Sequence, residues 1–249
     1  MKHTDHYIPE RIRAQLLALG ISSNKHTIND LSEFFPAEFN IAATGLTTED
    51  LARVVVYLAG EKILKGPKKL VGARAVRPGW HSCQFYRDFD QLLELVAPYV
   101  ADGLKNNEGC LWVLPEKVTT KAASAVLARH VGRVEKFFAS GQLEMQSHTT
   151  WYLDRSGRLK SFEEISSALL VKQDRALAKG FKFLRAAGDT GWVSGTEQSK
   201  SFIDYEMKVN AALGKTKVAA ICTYRADVTA DEFVAIVTAH QDALYKIPA

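Results

Sequence analysis

Short apolar segments alternate with amphipathic ones from Trp80 onward, and this alternation constrains the fold more than any other feature of the chain. The apolar segments predict strands at 81–86, 109–115, 143–152, 181–188 and 217–224. The segments between and after them predict helices at 90–107 (ending near Gly103), 121–132, 161–180, 199–213 and 231–245. Apolar strands that alternate with helices predict an α/β fold, in which a parallel or mostly parallel sheet carries helices on both faces.

Residues 1–75 predict a small all-α domain ahead of this α/β domain, which we place at 80–248. Helical patterns cover 9–19, 27–35 and a segment that starts at Thr47 and runs into Leu64. Three short helices suit a helix-turn-helix module, but the last one offers apolar side chains, such as Val55, where a recognition helix needs polar ones. A helical dimerisation or docking module therefore stays open beside DNA binding.

A basic segment joins the two predicted domains. It carries six basic residues and no acidic one: Lys62, Lys65, Lys68, Lys69, Arg74 and Arg77. Gly66, Pro67 and Gly72 interrupt it, and Pro78 follows it, which is typical of an irregular connection. If the N-terminal domain binds DNA, these six side chains are the candidate phosphate contacts.

The composition is that of a soluble globular protein, since 47% of the 249 residues are hydrophobic and the formal net charge is +4. No apolar run is long enough to span a bilayer and the first residues are too polar for a secretory signal, so we expect a cytoplasmic protein without membrane contact. Cys83, Cys110 and Cys222 lack the paired spacing of a structural zinc site. We therefore expect reduced thiols and no metal.

Polar and aromatic residues flank the predicted strands, and in parallel sheets ligands bind beyond the carboxyl ends of the strands. Asp189 and Trp192 follow one strand, and His81 and Cys83 share a face of another because residues two apart do so. These patterns give the candidate ligand-binding residues His81, Cys83, Tyr86, Asp189, Trp192 and Tyr224. Aromatic walls with few polar anchors are typical of a small-molecule site.

Arg185 lies within an apolar strand, where an unpaired guanidinium is costly to bury. Glu206 is its predicted partner, and Tyr205 lies beside Glu206 on the helix that follows the GDTGW loop at 188–192. Two interpretations stay open for these three residues: they contact a ligand, or they form one structural ion-pair network. His240 falls on the apolar face of the predicted last helix, so we interpret it as a core histidine.

The segment LGKTKV at 213–218 contains the Gly-Lys-Thr of a phosphate loop but lacks the rest of that motif. A phosphate loop also needs an earlier glycine, and that position here is Val209, inside a predicted helix. The segment precedes a strand, whereas a phosphate loop follows one. We therefore exclude a nucleotide site here.

Seven motifs occur in a fixed order: HSCQFY (81–86), GCLWVLP (109–115), WYLDRSGRL (151–159), AKGFKFLRAAGDTGW (178–192), DYE (204–206), ICTYRAD (221–227) and AHQDALY (239–245). In this order they resemble the MEDS family, the methanogen/methylotroph DcmR sensory domain, over roughly residues 80–248. The resemblance implies an α/β domain distantly similar to the RecA/KaiC ATPase core without its phosphate loop. It also implies a sensor of simple hydrocarbon derivatives, joined to DNA-binding helices or to a histidine kinase.

The chain departs from the family pattern at two places. The family's regulators often begin with a clear helix-turn-helix, which residues 1–79 match only loosely. The family's loop commonly reads Gly-Asp-Met-x-Trp, and Thr190 stands here in place of the Met, which makes this part of the predicted pocket more polar.

Three functional classes follow from these observations. We favour a cytoplasmic sensor without enzymatic activity or a cofactor, in which the α/β domain binds an unknown simple organic ligand and biases the N-terminal module between two arrangements. The first alternative is a DNA-binding transcriptional regulator that acts through the basic segment, and the second is a metal-binding protein or enzyme that uses His81 and Cys83, with Asp189 or Cys222. We expect a homodimer, the commonest soluble assembly, with DNA or a signalling protein as the partner.

Overall fold

The computed structural model describes residues 76–86, 88–193 and 199–225, together with Ile236, Ala239, His240 and the backbone of 242–244. The predicted N-terminal helices, the domain boundary near residue 75 and five of the six basic residues lie outside the described residues. Arg77, the sixth, is exposed.

Strands and helices alternate along the described chain. The strands are β1 (His81–Tyr86), β2 (Gly109–Leu114), β3 (Leu143–Ser147), β4 (Leu184–Asp189), β5 (Val218–Arg225) and β6 (Asp242–Leu244). The helices are α1 (Phe89–Lys105), α2 (Thr120–Val131), α3 (Glu135–Ser140), α4 (His148–Tyr152), α5 (Phe162–Ala178) and α6 (Ser199–Leu213).

These six strands form one sheet in the order β3-β2-β4-β5-β1-β6, and every neighbouring pair is parallel. The α/β class predicted for residues from Trp80 onward is thereby confirmed. Because the strands are parallel, the first residues of β1 and β5 lie together at the amino ends of the strands and their last residues lie together at the carboxyl ends. Within the described ranges, no helix combines the length and the hydropathy that crossing a bilayer would require.

Each face of the sheet buries a separate apolar layer. The α1 face is covered by α1 and α2 and includes Trp112 and Ile221, while the α6 face is covered by α4, α5 and α6 and includes Leu111 and Cys222. Adjacent residues of a strand point to opposite faces, so each strand contributes to both layers. This explains why the central strands are apolar along their whole length and appear as continuous hydrophobic runs in the sequence.

Local signals place the helix ends. α5 begins with a capping box, in which Glu164 N donates to Ser161 Oγ (3.2 Å) and Ser161 N donates to Glu164 Oε2 (2.8 Å). Asp88 caps α1 by accepting a hydrogen bond from Gln91 N at 2.8 Å. Gly103 does not end α1, which continues to Lys105; its lack of a side chain makes room for Arg185 and Cys110.

Two sequence predictions are wrong. The predicted strand 143–152 ends at Ser147, where the Ser147 side chain accepts a hydrogen bond from Thr149 N and starts the short helix α4. The predicted helix 231–245 does not extend over 242–244, which form β6 beside β1. At α4 the cap by Ser147 outweighs the local propensity for a strand, and at β6 the pairing with β1 outweighs the local propensity for a helix.

The rejection of the phosphate loop agrees with the structure. Gly214, Lys215 and Thr216 connect the end of α6 to the start of β5, so they follow a helix and precede a strand. Thr216 Oγ1 donates to Leu213 O at 2.8 Å and thereby completes the end of the helix.

Candidate functional site

Four polar side chains converge on the α6 face of the sheet, where β1 and β5 are paired. They come from four separate parts of the chain: His81 begins β1, Glu206 lies on α6, Cys222 lies within β5, and His240 precedes β6. One donor atom of each lies within 4.8 Å of the donor atoms of the other three. All four side chains are buried, and we call them the His81 cluster.

The distances within the His81 cluster are those of direct contact. Glu206 Oε2 lies 3.2 Å from His81 Nε2 and 3.5 Å from His240 Nε2. Cys222 Sγ lies 3.5 Å from His81 Nε2 and 3.7 Å from Glu206 Oε2. The two imidazole rings also contact each other, with centroids 4.1 Å apart.

The other nitrogen of each imidazole faces an oxygen outside the cluster. His81 Nδ1 lies 3.3 Å from Asn210 Oδ1, and His240 Nδ1 lies 2.6 Å from the main-chain oxygen of Ile236. The main-chain oxygen of Ile236 cannot donate a hydrogen bond, so His240 Nδ1 carries the proton, and Asn210 Oδ1 can accept a hydrogen bond from His81 Nδ1. Each Nε2 is thereby directed at Glu206 and Cys222.

Burial and charge act together on the ionisation of the cluster. Burial and the neighbouring His81 lower the pKa of His240 to about 3, so this imidazole is neutral. Burial raises the pKa of Glu206, but the hydrogen bond with His81 and the electrostatic interactions with the two imidazoles outweigh it and hold the pKa below its ordinary value. Glu206 is therefore a buried carboxylate, and its Oε1 atom has no hydrogen-bond partner among the described residues.

A small cavity adjoins the His81 cluster, between the sheet and helices α5 and α6. Its volume is about 40 Å³, and Glu206 and Cys222 form part of its wall. The rest of the wall is mostly apolar and includes Ala186, Tyr152 and Tyr205. The site thus combines an apolar space with one polar end, as small-molecule sites do.

The structure brings some of the predicted site residues together on the α6 face. His81 and Cys83 share that face, as the alternation of β1 predicts, and Tyr205 and Glu206 line the cavity. Tyr224 contacts the ring of His240, with centroids 5.8 Å apart. A ligand-binding role for these residues stays a prediction.

Tyr86 and Asp189 lie apart from this group, at the carboxyl ends of β1 and β4. Tyr86 OH donates a hydrogen bond of 2.7 Å to Asp189 Oδ1, and both residues are buried. Burial raises the pKa of Asp189 to about 6, although Tyr86, Gly191 and Arg225 act to lower it.

Trp192 lies on the α6 face without lining the cavity. It stacks on His148 with ring centroids 5.6 Å apart and packs against Tyr152 and Phe202. Because Tyr152 does line the cavity, Trp192 supports the cavity wall from behind.

The predicted pair of Arg185 and Glu206 is wrong. Arg185 points to the α1 face, where its Nε atom donates a 2.6 Å hydrogen bond to Glu108 Oε2. Glu206 lies on the opposite face, with the two histidines. The sequence predicts that Arg185 is buried in a strand. Which carboxylate lies on the same face of the sheet as Arg185 is known only from the tertiary structure.

Two members of the cluster, Cys222 and His240, are absent from the predicted ligand-binding set. A signal was present for Cys222, because it lies two residues before Tyr224 in a strand and so shares its face. For His240 the signal was misleading, because the helix predicted there does not continue through β6. For Glu206 the sequence did carry a signal, because its helical spacing with Phe202 and Val209 places this carboxylate in an apolar stripe.

The three cysteines are all buried and form no disulfide with one another. Cys83 and Cys222 are register partners on neighbouring strands, and Cys110 lies on the α1 face. Burial raises the pKa of Cys110 above its ordinary value, which keeps that thiol protonated.

Comparison with curated proteins found no match to this sequence. Residues 80–241 match the model of a protein family, MEDS, described as the MEthanogen/methylotroph, DcmR Sensory domain. The matched segment covers β1 to β5 and includes all four residues of the His81 cluster, and β6 directly follows it. The chain belongs to the MEDS family of sensory domains.

Proposed function

We propose that this chain is a sensor that binds a simple organic molecule, a hydrocarbon derivative, in the cavity beside the His81 cluster. The observation that carries the proposal is an apolar cavity with a buried carboxylate at one end, in a domain of a sensory family. The apolar wall suits a hydrocarbon group, and Glu206 Oε1, which lacks a partner among the described residues, suits a hydroxyl or ammonium group.

The size of the cavity limits the ligand. A water molecule occupies roughly 10 to 15 Å³ on this measure, so 40 Å³ holds about three or four non-hydrogen atoms of that size. This favours molecules such as short alcohols, halogenated methanes, small thiols and methylated amines. It argues against a nucleotide or a sugar.

Tyr205 marks a route of entry. Its side chain lines the buried cavity and also an open cleft of about 570 Å³ between residues 158–162 and α6. Rotation of this one aromatic ring would connect the cleft to the cavity. We propose that Tyr205 is the gate through which the ligand enters.

A short path connects the site to the N-terminal part of the chain. His81 directly follows Trp80, which is buried against the α1 face with Val76. Gly79 N also donates to Val218 O at 2.7 Å, so the start of the domain is attached to the first residue of β5. We propose that ligand binding shifts this attachment and thereby biases residues 1–75 between two arrangements.

We propose that residues 1–75 form the output module, in a cytoplasmic homodimer without enzymatic activity. DNA binding through Lys62, Lys65, Lys68, Lys69, Arg74 and Arg77 stays a prediction. A titration of duplex DNA at several salt concentrations tests it, since phosphate contacts give an affinity that falls steeply with salt.

The proposed ligand class is tested by thermal unfolding of the full chain with a panel of short alcohols, halogenated methanes, thiols and methylated amines. A molecule that binds only the native state raises the unfolding midpoint, and the stabilisation grows with the logarithm of its concentration over its Kd. At least one member of the panel should do so, and its chemical relatives of larger size should not. A panel in which no member raises the midpoint would contradict the proposal.

A further inference from the structure

We infer that His81, Glu206, Cys222 and His240 form a closed four-coordinate site for a transition-metal ion, for which Zn²⁺ is the best match. The proposed metal site adjoins the cavity of the organic ligand and shares Glu206 and Cys222 with its wall, but the inference stands whether or not that ligand is found. Imidazole nitrogen, thiolate sulfur and carboxylate oxygen are the donor types that Zn²⁺ accepts. The four donor atoms come from four different parts of the chain and gather in one buried place.

Four of the six donor–donor distances match the edges of a tetrahedron, and the other two lie within 4.8 Å. Zn–N, Zn–O and Zn–S bonds of about 2.0, 2.1 and 2.3 Å give tetrahedral edges of about 3.4 Å for N–O and about 3.6 Å for N–S and O–S pairs. The two N–O distances that Glu206 makes are 3.2 Å and 3.5 Å. The N–S and O–S distances that Cys222 makes are 3.5 Å and 3.7 Å.

The second nitrogen of each imidazole is positioned as in metal sites. Histidine ligands generally donate their other N–H to a carbonyl or carboxylate, which fixes the tautomer and aims the bare nitrogen at the metal. His81 Nδ1 faces Asn210 Oδ1, and His240 Nδ1 faces the main-chain oxygen of Ile236. With Nδ1 protonated in both rings, both Nε2 atoms would present their lone pairs to a metal ion at the centre of the cluster.

A cation resolves an electrostatic problem at this place. The His240 ring carries its proton on Nδ1, so its Nε2 directs a lone pair at the buried Glu206 carboxylate, and such an arrangement is repulsive unless positive charge lies between them. Among the described residues, the ion-pair contacts of Glu206 are with His81 and His240 alone, and no hydrogen-bond partner satisfies His240 Nε2 or Glu206 Oε1. A divalent ion bound by one carboxylate and one thiolate would be electrically neutral overall.

The site would also hold the end of the domain in place. His240 is followed two residues later by β6, whereas Glu206 and Cys222 belong to α6 and β5. A metal bound to all four side chains would tie β6 to the middle of the sheet. Metal binding would then contribute to folding stability, as it does at closed structural sites.

The direct test is elemental analysis of the full chain, purified without a polyhistidine tag, stripped with a chelator and then titrated with Zn²⁺ in the absence of any organic ligand. We expect one Zn²⁺ per chain and a higher unfolding midpoint for the zinc form. A folded wild-type chain that takes up no stoichiometric Zn²⁺ would overturn the inference. Because no organic molecule is present, this result is independent of the proposed sensing function.

Variants identify the ligands. Cys222→Ser and His240→Ala should lower zinc occupancy severely, whereas Cys110→Ser, which removes a buried thiol on the α1 face, should keep it. Asn210→Ala should weaken zinc binding by roughly 10- to 100-fold, the effect typical of a residue that orients a histidine ligand. Asn210 is only partly buried, so this variant also provides a test if a ligand variant fails to fold.

Cobalt gives a spectroscopic check on the thiolate. Tetrahedral Co²⁺ in the wild-type chain should show intense visible bands and a thiolate-to-metal charge-transfer band. The charge-transfer band should disappear in Cys222→Ser and persist in Cys83→Ser. The reverse result, in which Cys83→Ser abolishes the band, would overturn the assignment of Cys222 and favour its neighbour on β1.

Discussion

Arg185 and Glu108 form a buried ion pair on the α1 face, with Arg185 Nε donating to Glu108 Oε2 at 2.6 Å. The side chain of Arg185 is fully buried and that of Glu108 is 5% exposed. Arg185 Nη1 also donates to the main-chain oxygen of Tyr99, and the guanidinium lies 4.7 Å from the centre of the Tyr99 ring. The pair holds α1 against β4, on the side of the sheet away from the His81 cluster.

Loss of Glu108 should therefore damage stability and leave the candidate site intact. Glu108→Ala leaves a buried guanidinium without its partner, and the expected cost in the free energy of unfolding is about 3 to 5 kcal/mol. Denaturation in urea measures this cost. The double variant Glu108→Gln with Arg185→Met should cost less than the sum of its parts, because no charge stays buried. Additive losses would show that the pair does not act as a unit.

Asp189 should make stability depend on pH in the mildly acidic range. Its folded-state pKa is about 6, above the value of about 3.9 in an unfolded chain. Between these two values the native state holds a proton that the unfolded state has released, so the free energy of unfolding falls as the pH rises from about 4 to about 6.

Asp189→Asn removes this dependence, because an amide does not ionise and its oxygen still accepts from Tyr86 OH. The difference in the free energy of unfolding between the variant and the wild type should therefore shift in favour of the variant from pH 4 to pH 7. The expected shift is on the order of 3 kcal/mol, since about two pKa units correspond to that free energy. Urea denaturation of both proteins across this range measures the difference. A difference that stays constant with pH would contradict the raised pKa.

Gly103→Ala should destabilise the protein although alanine is the better helix former. A Cβ atom at this position would lie 2.8 Å from Arg185 Cδ, Arg185 Nε and Cys110 Sγ. The gain in helix propensity is about 1 kcal/mol, whereas overpacking a buried contact costs about 1 to 3 kcal/mol. Arg185 cannot move aside without breaking its pair with Glu108, so we expect a lower thermal midpoint. Adding Cys110→Ala to this variant should restore part of the lost thermal stability, because it removes the sulfur atom that the new Cβ would contact. A double variant with no higher midpoint would contradict this explanation.

Ala186→Val should fill the cavity and abolish the response to a small organic ligand. Ala186 lines the cavity from the middle of β4, and two added carbon atoms take up much of a space of about 40 Å³. A panel member that raises the thermal midpoint of the wild-type chain should leave that of Ala186→Val unchanged. Ala125→Val, at an exposed position on α2, serves as the control and should keep the wild-type response. An unchanged response in Ala186→Val would place the ligand elsewhere.

Local pattern was a good guide to most elements of the α/β domain. The strands β2 and β5 are buried on both faces and mostly apolar, so their composition distinguishes them from the amphipathic helices beside them, whereas β1 and β4 are equally buried but carry polar residues. It failed at α4, where a run of β-branched and aromatic residues forms a helical turn, and at β6, which is a strand because it pairs with β1. Strand pairing is a contact between distant residues, and short-range pattern does not record it.

The candidate site was predicted in part, and the reason lies in the kind of information each residue needs. The shared face of His81 and Cys83 follows from the two-residue repeat of a strand, and that much was confirmed. The choice of partner was wrong for Arg185, because Glu108 and Glu206 are equally plausible carboxylates until the faces of the sheet are known.

By itself, the sequence determined the class of fold, most of the succession of strands and helices in the α/β domain, and membership in a sensory family, because each depends on local composition or on motifs in linear order. Only the tertiary structure decided which chemistry gathers at one point. His81 and Cys222 are 141 residues apart, yet their side chains lie 3.5 Å from each other. Their strands are neighbours in the order β5-β1, and His81 pairs with Ala220 in the register. Strand order and register depend on how the whole core packs, and no short segment of the chain contains that information.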